Sequence, residues 1–303
     1  MMGILQCIGN TPLACIERIN PNPKVNLFVK LEGNNPGGSV KDRIALYMLE
    51  IAEKEGMLTK DKIILEATSG NTGIGLAMVA TAKKYRVKLT MPACVSIERR
   101  RVLEAFGAEL ILSPSNEGTD GAIKLAHSIL AEQPETYFMP NQFDNTANVL
   151  AHYETTGKEI IAQTDGRITH FVAGMGTTGT LMGVGRRLKE FNASISIIGV
   201  EPVLNHRIQG LKNMSESIKP KIFDSGNLDE HFFVNDEEAF DTTRMLAVKE
   251  GIFAGMSSGA AVHIALRKSS EIKEGAIVVL LPDRGDRYLS TSLFTSVCAK
   301  CPP

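Results

Sequence analysis

The chain lacks a surplus of charge of either sign. Its 303 residues carry 33 Lys and Arg against 34 Asp and Glu, a formal net charge of −1. That balance argues against nucleic acid or a membrane surface as a partner, since both are gripped by basic patches. No apolar run approaches the ~18 residues needed to cross a bilayer. Met1-Met2-Gly3-Ile4-Leu5-Gln6-Cys7 has no basic stretch followed by a long apolar one, so no signal peptide and a cytoplasmic location are expected.

Cysteine is also scarce, at five residues, an odd number without a framework spacing. A disulfide scaffold is therefore not expected, and a reducing compartment is. Cys298 and Cys301 form one Cys-x-x-Cys pair beside Pro302 and Pro303. A four-ligand zinc site needs a second pair or nearby histidines, so this one reads as an exposed tail pair. The six histidines form no pair at i, i+3 or i, i+4 spacing, which leaves no expected metal site. There is no Gly-x-Ser-x-Gly elbow, Cys–His arrangement, short repeat or low-complexity tract.

What the chain does have is alternation. Hydrophobic residues make up 43% and charged residues 22%, ordinary for a globular protein large enough for two lobes. Strand patterns at 25–30, 62–66, 87–91, 109–112, 168–173, 196–200 and 276–281 are interleaved with helix patterns at 39–55, 71–84, 96–106, 118–132, 178–191, 236–250 and 257–267. Short apolar strands between helices predict an α/β fold with parallel-rich sheets covered by helices. The expected division is a smaller N-terminal lobe over 40–145 and a larger lobe from 1–39 plus 146–303. Ligands in such folds bind at the C-terminal ends of strands.

Three segments at strand-to-helix junctions carry the chemistry. Gly174-Met175-Gly176-Thr177-Thr178-Gly179-Thr180 follows a strand and opens a helix, where unpaired N–H groups and a positive dipole end attract phosphate. It also satisfies Gly-x-Gly-x-x-Gly, with Glu201 at the end of the next strand where a ribose-binding acid could sit, so a dinucleotide site stays open. Gly37-Gly38-Ser39-Val40-Lys41-Asp42-Arg43 places a lysine in a helix's first turn, against the dipole. A lysine held there for a local reason suits Schiff-base chemistry, whereas Asp42 and Arg43 read as a surface pair. Thr68-Ser69-Gly70-Asn71-Thr72-Gly73 can be a simple helix cap, but it has more donors than one cap needs. Gly255-Met256-Ser257-Ser258-Gly259 is similar: one serine suits a cap and the other a ligand nitrogen. Arg99, Arg100 and Arg101 read as a solvated helix face. An amine, a carboxylate binder and a phosphate cradle together suit pyridoxal phosphate and an amino acid.

These segments closely resemble the cysteine synthases, pyridoxal-phosphate enzymes of fold type II (tryptophan synthase β-like). Ile8-Gly9-Asn10-Thr11-Pro12-Leu13, Ser96-Ile97-Glu98-Arg99-Arg100 and Arg287-Tyr288-Leu289-Ser290-Thr291 extend the resemblance over nearly the whole chain. The stretches 30–36 and 283–288 resemble the B type more than the A type. The resemblance implies that Lys41 carries the cofactor and moves the substrate α-proton. It implies that Asn71 binds the cofactor's 3′ oxygen, that Gly176, Thr177, Thr178, Gly179 and Thr180 bind its phosphate, and that Ser257 binds its pyridine nitrogen. Thr68, Ser69, Gly70, Thr72 and Gln142 would hold the substrate carboxylate. The implied substrates are an activated serine, O-acetylserine first, and sulfide. A homodimer is expected, and a complex with serine acetyltransferase is left open.

The B type carries an arginine pair followed by Trp in the loop where this chain reads Gly210-Leu211-Lys212-Asn213-Met214. Lys212 stands where an arginine is expected, and as a substrate-binding residue it would read the anionic part of the second substrate or the leaving group. That departure weighs against large sulfur donors such as thiosulfate and raises O-phosphoserine as an alternative donor. An NAD-dependent oxidoreductase and a non-catalytic partner-binding protein are the readings from other classes.

Overall fold

The structure is a computed structural model that describes residues 2–95, 97–215 and 219–294. The Cys298/Cys301 pair and Ser96 lie outside the described residues. In chain order the strands and helices are β1 (Leu13–Ile16), β2 (Val25–Leu31), α1 (Lys41–Lys54), β3 (Ile63–Ala67), α2 (Asn71–Lys83), β4 (Arg86–Pro92), α3 (Ile97–Ala105), β5 (Glu109–Ser113), α4 (Gly118–Glu132), β6 (Tyr137–Phe138), α5 (Thr146–Ala151), α6 (Gly157–Gln163), β7 (His170–Gly174), α7 (Gly179–Phe191), β8 (Ser196–Pro202), β9 (Glu230–Val234), α8 (Asp236–Met245), α9 (Met256–Glu271) and β10 (Gly275–Leu281). Two π turns, His152–Thr156 and Leu246–Glu250, lie between α5 and α6 and after α8.

The chain divides into two compact units, one of residues 1–8 and 35–151, the other of 9–34 and 152–303. Residues 1–8, 35–39 and 146–151 group with the first unit, whereas the sequence pattern suggested limits at 40 and 145. The short helix α5 packs along α1, and Leu5 and Ile8 join the same apolar cluster.

The first unit holds an all-parallel sheet in the order β5-β4-β3-β6. Its core gathers Ile44, Met48, Leu49, Ile64, Leu76 and Leu89. In α1 the buried Ile44, Ala45, Met48, Leu49 and Ala52 recur at three- and four-residue spacing, the stripe of a helix with one side in the core. By contrast, α2 is buried from Thr72 through Ala80, so it runs through the interior. It approaches α1 closely, because a Cβ on Gly75 would lie 3.0 Å from the Lys41 carbonyl.

The second unit holds a six-stranded sheet in the order β1-β2-β10-β7-β8-β9. Only β1 is antiparallel there. Its central strands are apolar on both faces, as parallel strands covered by helices must be. One residue breaks that pattern. Lys30 in β2 is fully buried, and its ammonium meets Glu159 Oε2 at 2.7 Å, the Thr11 carbonyl at 2.5 Å and Gln163 Oε1 at 2.8 Å. Glu159 Oε1 also accepts the Asn10 N–H at 3.0 Å. One buried ion pair thus ties β2, the 10–11 segment and α6 together.

Removing one partner of such a pair leaves the other charged and buried, which typically costs about 3–5 kcal/mol. We therefore expect Glu159→Ala to destabilise the second unit by about that amount, while the double replacement Lys30→Met with Glu159→Leu costs much less. Urea unfolding followed by circular dichroism checks both; equal losses for the single and double variants would contradict this account.

Candidate active site

In the first unit, α1 opens at Lys41 with no side-chain cap, and the Lys41 N–H is accepted by Ser39 Oγ at 3.2 Å. The expectation that Asp42 and Arg43 form a surface pair is corrected, since both are buried. Asp42 Oδ2 accepts the Gly37 N–H at 2.5 Å, so its carboxylate satisfies the loop that leads into the helix. Gly38 in that loop has φ +81°, a left-handed conformation that glycine adopts without strain.

The 68–73 segment leaves β3 and enters α2. Its N-cap is Gly70, and no side chain caps the helix, so the capping role expected of Ser69 or Asn71 is not taken by either. Thr68 Oγ1 accepts the Gly70 N–H at 3.4 Å. The Thr72 hydroxyl donates to Gln142 Oε1 at 2.6 Å, and both side chains are buried. The structure therefore brings the 68–72 segment and Gln142, distant in sequence, to one place. The Gln142 carbonyl is held in turn by Asn148 Nδ2 at 2.8 Å.

Sequence reasoning missed Glu66 beneath this pair. It sits in β3 among Ile63, Ile64 and Leu65, and Oε2 accepts the Asn141 N–H at 2.7 Å. Burial pushes its carboxyl up to about 7, against the lowering effect of the backbone N–H groups of Asn141 and Gln142. The available signal was a single acid inside an otherwise apolar strand.

In the second unit, α7 opens at Gly179, again without a side-chain cap, after Thr178 at φ +67°. A Cβ on Gly176 would sit 2.6 Å from the Gly210 carbonyl oxygen, so only glycine fits there. The Lys212 N–H donates to the Met175 carbonyl at 2.8 Å, which binds the 210–214 loop against the glycine-threonine segment. On the other side of Gly210, its own Cβ would lie 3.8 Å from Ser257 Oγ. Gly176, Gly210, Lys212 and Ser257 are therefore neighbours. Neither Ser257 nor Ser258 caps α9, whose N-cap is Gly255. Ser258 Oγ is buried with no hydrogen-bond partner.

The threonines of this segment do different things. Thr178 Oγ1 donates to the Thr177 carbonyl at 2.6 Å, so that hydroxyl is spent on the chain itself. Thr180 Oγ1 lies 3.2 Å from His152 Nε2, and His152 Nδ1 lies 3.0 Å from Thr156 Oγ1. The buried His152, in the π turn before α6, gave no signal in sequence spacing.

Glu201 is not placed as a ribose acid. It is 2% exposed; Oε1 accepts the Met214 N–H at 2.7 Å and Oε2 meets His231 Nε2 at 2.7 Å. Its carboxylate anchors the far end of the Lys212 loop. The Arg100 guanidinium is likewise used internally, donating to the Val95 and Ala93 carbonyls. Among the described residues no cluster of His, Cys, Asp or Glu could hold a metal, and no helix is long and apolar enough to cross a membrane.

The model of the family described as pyridoxal-phosphate dependent enzyme matches residues 4–283. This chain belongs to that family. It is 49% identical over 300 residues to a cysteine synthase of Aquifex aeolicus (strain VF5), spanning 96% of this chain and 92% of that protein. It is 48% identical over 289 residues to cysteine synthase B of Salmonella typhimurium (strain LT2), spanning 95% of each. The crystal structure of cysteine synthase from Entamoeba histolytica superposes with a TM-score of 0.93 at 38% identity, covering 97% of this chain and 91% of that one.

Membership makes this a pyridoxal-phosphate-dependent enzyme of fold type II. The second unit fits the group, on three observations. The α7 N-terminus is left open by side chains, the Gly176 position has no room for a Cβ, and a serine hydroxyl, Ser257, lies beside the same glycine loop. The first two suit a phosphate ester, and the third suits a heteroaromatic nitrogen.

Two outcomes follow from this geometry. Gly176→Ala drives a methyl group into a backbone carbonyl, and equilibrium dialysis of pyridoxal phosphate should show affinity reduced about tenfold or more, with folding retained. For Glu66, a pKa raised in the folded state means that the native protein holds more proton than the unfolded chain between the ordinary 4.5 and about 7. Stability contributed by that proton is complete below about pH 4.5 and is lost as pH rises through 7, by at most about 3 kcal/mol. Glu66→Gln should flatten this part of the stability–pH curve, measured by urea midpoints from pH 4.5 to 8.

Proposed function

We propose that this enzyme is a cysteine synthase that replaces the acetoxy group of O-acetyl-L-serine with sulfide, giving L-cysteine and acetate. The observation that carries the reading is the near full-length likeness to cysteine synthases, at 49% and 48% identity. The local geometry supports it. The Thr72 hydroxyl occupies the oxygen of the Gln142 amide, which leaves the NH2 end, a donor, for a ligand. Together with the uncapped N-terminus of α2, this makes an anion-accepting corner suited to an amino-acid carboxylate.

We assign Thr68, Ser69, Gly70, Thr72 and Gln142 to the substrate carboxylate. Asn71 is assigned to the cofactor's 3′ oxygen, Gly176 through Thr180 to its phosphate and Ser257 to its pyridine nitrogen. Within the phosphate segment the backbone N–H groups, with Thr177 and Thr180, carry the binding, because the Thr178 hydroxyl is taken by the Thr177 carbonyl. When bound, pyridoxal phosphate supplies an electron sink for negative charge at the substrate α-carbon. Lys41 Nζ attaches the cofactor, takes the α-proton when freed, and returns it after replacement. In the net reaction the β-carbon loses its bond to the acetate oxygen and gains one to sulfur. Ser257, a neutral hydroxyl rather than an acid, does not need to protonate the ring nitrogen, which favours β-elimination over transamination.

We place Lys212 at the acyl or phosphoryl end of the activated serine, because its loop is bound to both Met175 and Glu201 beside the phosphate segment. We further propose a cytoplasmic homodimer. Steady-state rates with sulfide and either O-acetylserine or O-phosphoserine test the substrate assignment: O-acetylserine should give the higher kcat/KM, and the opposite order would replace it with O-phosphoserine. Lys41→Ala should lose covalent attachment of the cofactor, read by mass spectrometry, and abolish turnover; near-native turnover would remove Lys41 from the mechanism.

A further inference from the structure

A carboxylate inside a parallel strand has to be explained by what it holds. Glu66 is 4% exposed, and its strand neighbours Ile63, Ile64 and Leu65 are apolar. Removing a charge from water is costly, so a chain that keeps one there uses its hydrogen bonds. Those bonds go to the backbone N–H groups of two consecutive residues, Asn141, at 2.7 Å, and Gln142.

The turn so held closes on its C-terminal side by itself, with the Asp144 and Asn145 N–H groups donating to the Asn141 carbonyl at 3.1 Å. Asn141 has φ +51°, a left-handed conformation that asparagine tolerates, and that turns its own N–H toward Glu66. The next residue is Gln142, whose side chain takes the Thr72 hydroxyl at 2.6 Å. Two residues after Glu66 along the chain, the 68–72 segment begins. One carboxylate therefore joins the strand that delivers Thr68–Thr72 to the turn that delivers Gln142.

We propose that Glu66 is a positioning residue for amino-acid binding, fixing the 141–142 turn so that the Gln142 amide and Thr72 hydroxyl keep one arrangement. The proposal rests on the assignment of Thr72 and Gln142 to the substrate carboxylate. The residue type follows from the task. Ionised, as it is above about pH 7, the carboxylate offers two oxygens that only accept, matching two N–H donors. Glutamine keeps one acceptor but turns an NH2 group toward the other N–H. Methionine keeps the bulk and leaves both N–H groups unsatisfied.

The test compares wild type, Glu66→Gln and Glu66→Met as holoenzymes, with cofactor content read by absorbance and folding by circular dichroism. For Glu66→Met we expect the KM for O-acetylserine to rise ~10- to 100-fold, with cofactor content and the KM for sulfide within about twofold of wild type. Glu66→Gln should fall between the two, a partial rescue by the near-isosteric group. If KM for O-acetylserine is unchanged in both variants, or if cofactor content falls in parallel with it, the positioning role is overturned in favour of a purely structural one. Should Glu66→Met fail to fold, Glu66→Gln decides alone: a KM for O-acetylserine equal to wild type overturns the proposal. Absence of wild-type turnover would overturn the functional reading instead. The positioning role is then decided by titrating each holoenzyme with L-serine and following the cofactor absorbance, where weaker binding in the variants sustains it and equal binding ends it.

Discussion

Helix N-termini without side-chain caps are the constraint on which the proposed ligand segments of each unit depend. The first N–H groups of a helix must find acceptors, and surface helices meet that need from their own sequence. The chain does this at α8, where Asn235 Oδ1 accepts the Glu238 N–H at 3.0 Å and Glu238 Oε2 accepts the Asn235 N–H at 2.8 Å. It does not do so at α2, α7 or α9, and at α1 the Ser39 hydroxyl accepts one N–H, that of Lys41. α4 and α6 also lack side-chain caps, so the open end alone is no signature of a ligand. What sets α2, α7 and α9 apart is that they begin at segments rich in glycine, serine and threonine, where open N–H groups suit the anions proposed above.

Much of this was legible from sequence because strand-to-helix junctions carry strong local signals. Helix α4 spans 118–132 as its pattern predicted, and α2 differs from its predicted span by one residue. The segments that escaped notice are those with weak or mixed signals. β6 is two residues long, β9 alternates between half-buried and exposed positions, and β1 is a short antiparallel edge. The run from α5 to α6 is interrupted by a π turn, which has no sequence periodicity of its own.

Side-chain roles were legible only where a local pattern implied them. Glycine and threonine at a helix start announce an anion site. A buried acid that serves a turn 75 residues away, as Glu66 serves Asn141, announces nothing. Asp42, Glu66 and Glu201 are alike here: each carboxylate accepts backbone N–H groups from a loop, and each loop adjoins one of the proposed ligand segments. Glu201 shows how a fingerprint misleads. The spacing after Gly-x-Gly-x-x-Gly suggested a ribose contact, but its oxygens are occupied by Met214 and His231. For Glu66 and Glu201 the loop geometry is set by an acid outside the motif, and for Asp42 by one whose burial the motif does not reveal, which explains why the motifs alone underdetermine the site.

The pairing of β2 with β10 gives the polypeptide a schedule. Their register runs from Val25 against Gly275 to Leu31 against Leu281, so each contact joins residues 250 positions apart. The sheet of the first unit, by contrast, has its last strand by Phe138. During synthesis the first unit can therefore complete its sheet while β2 still awaits its parallel neighbour. Pairings this distant in sequence are slow to form, because loop closure must precede the contacts that reward it. Until β10 is made, the edge of β2 stays open, and the buried Lys30 on that strand keeps a charge beside an otherwise adhesive apolar edge.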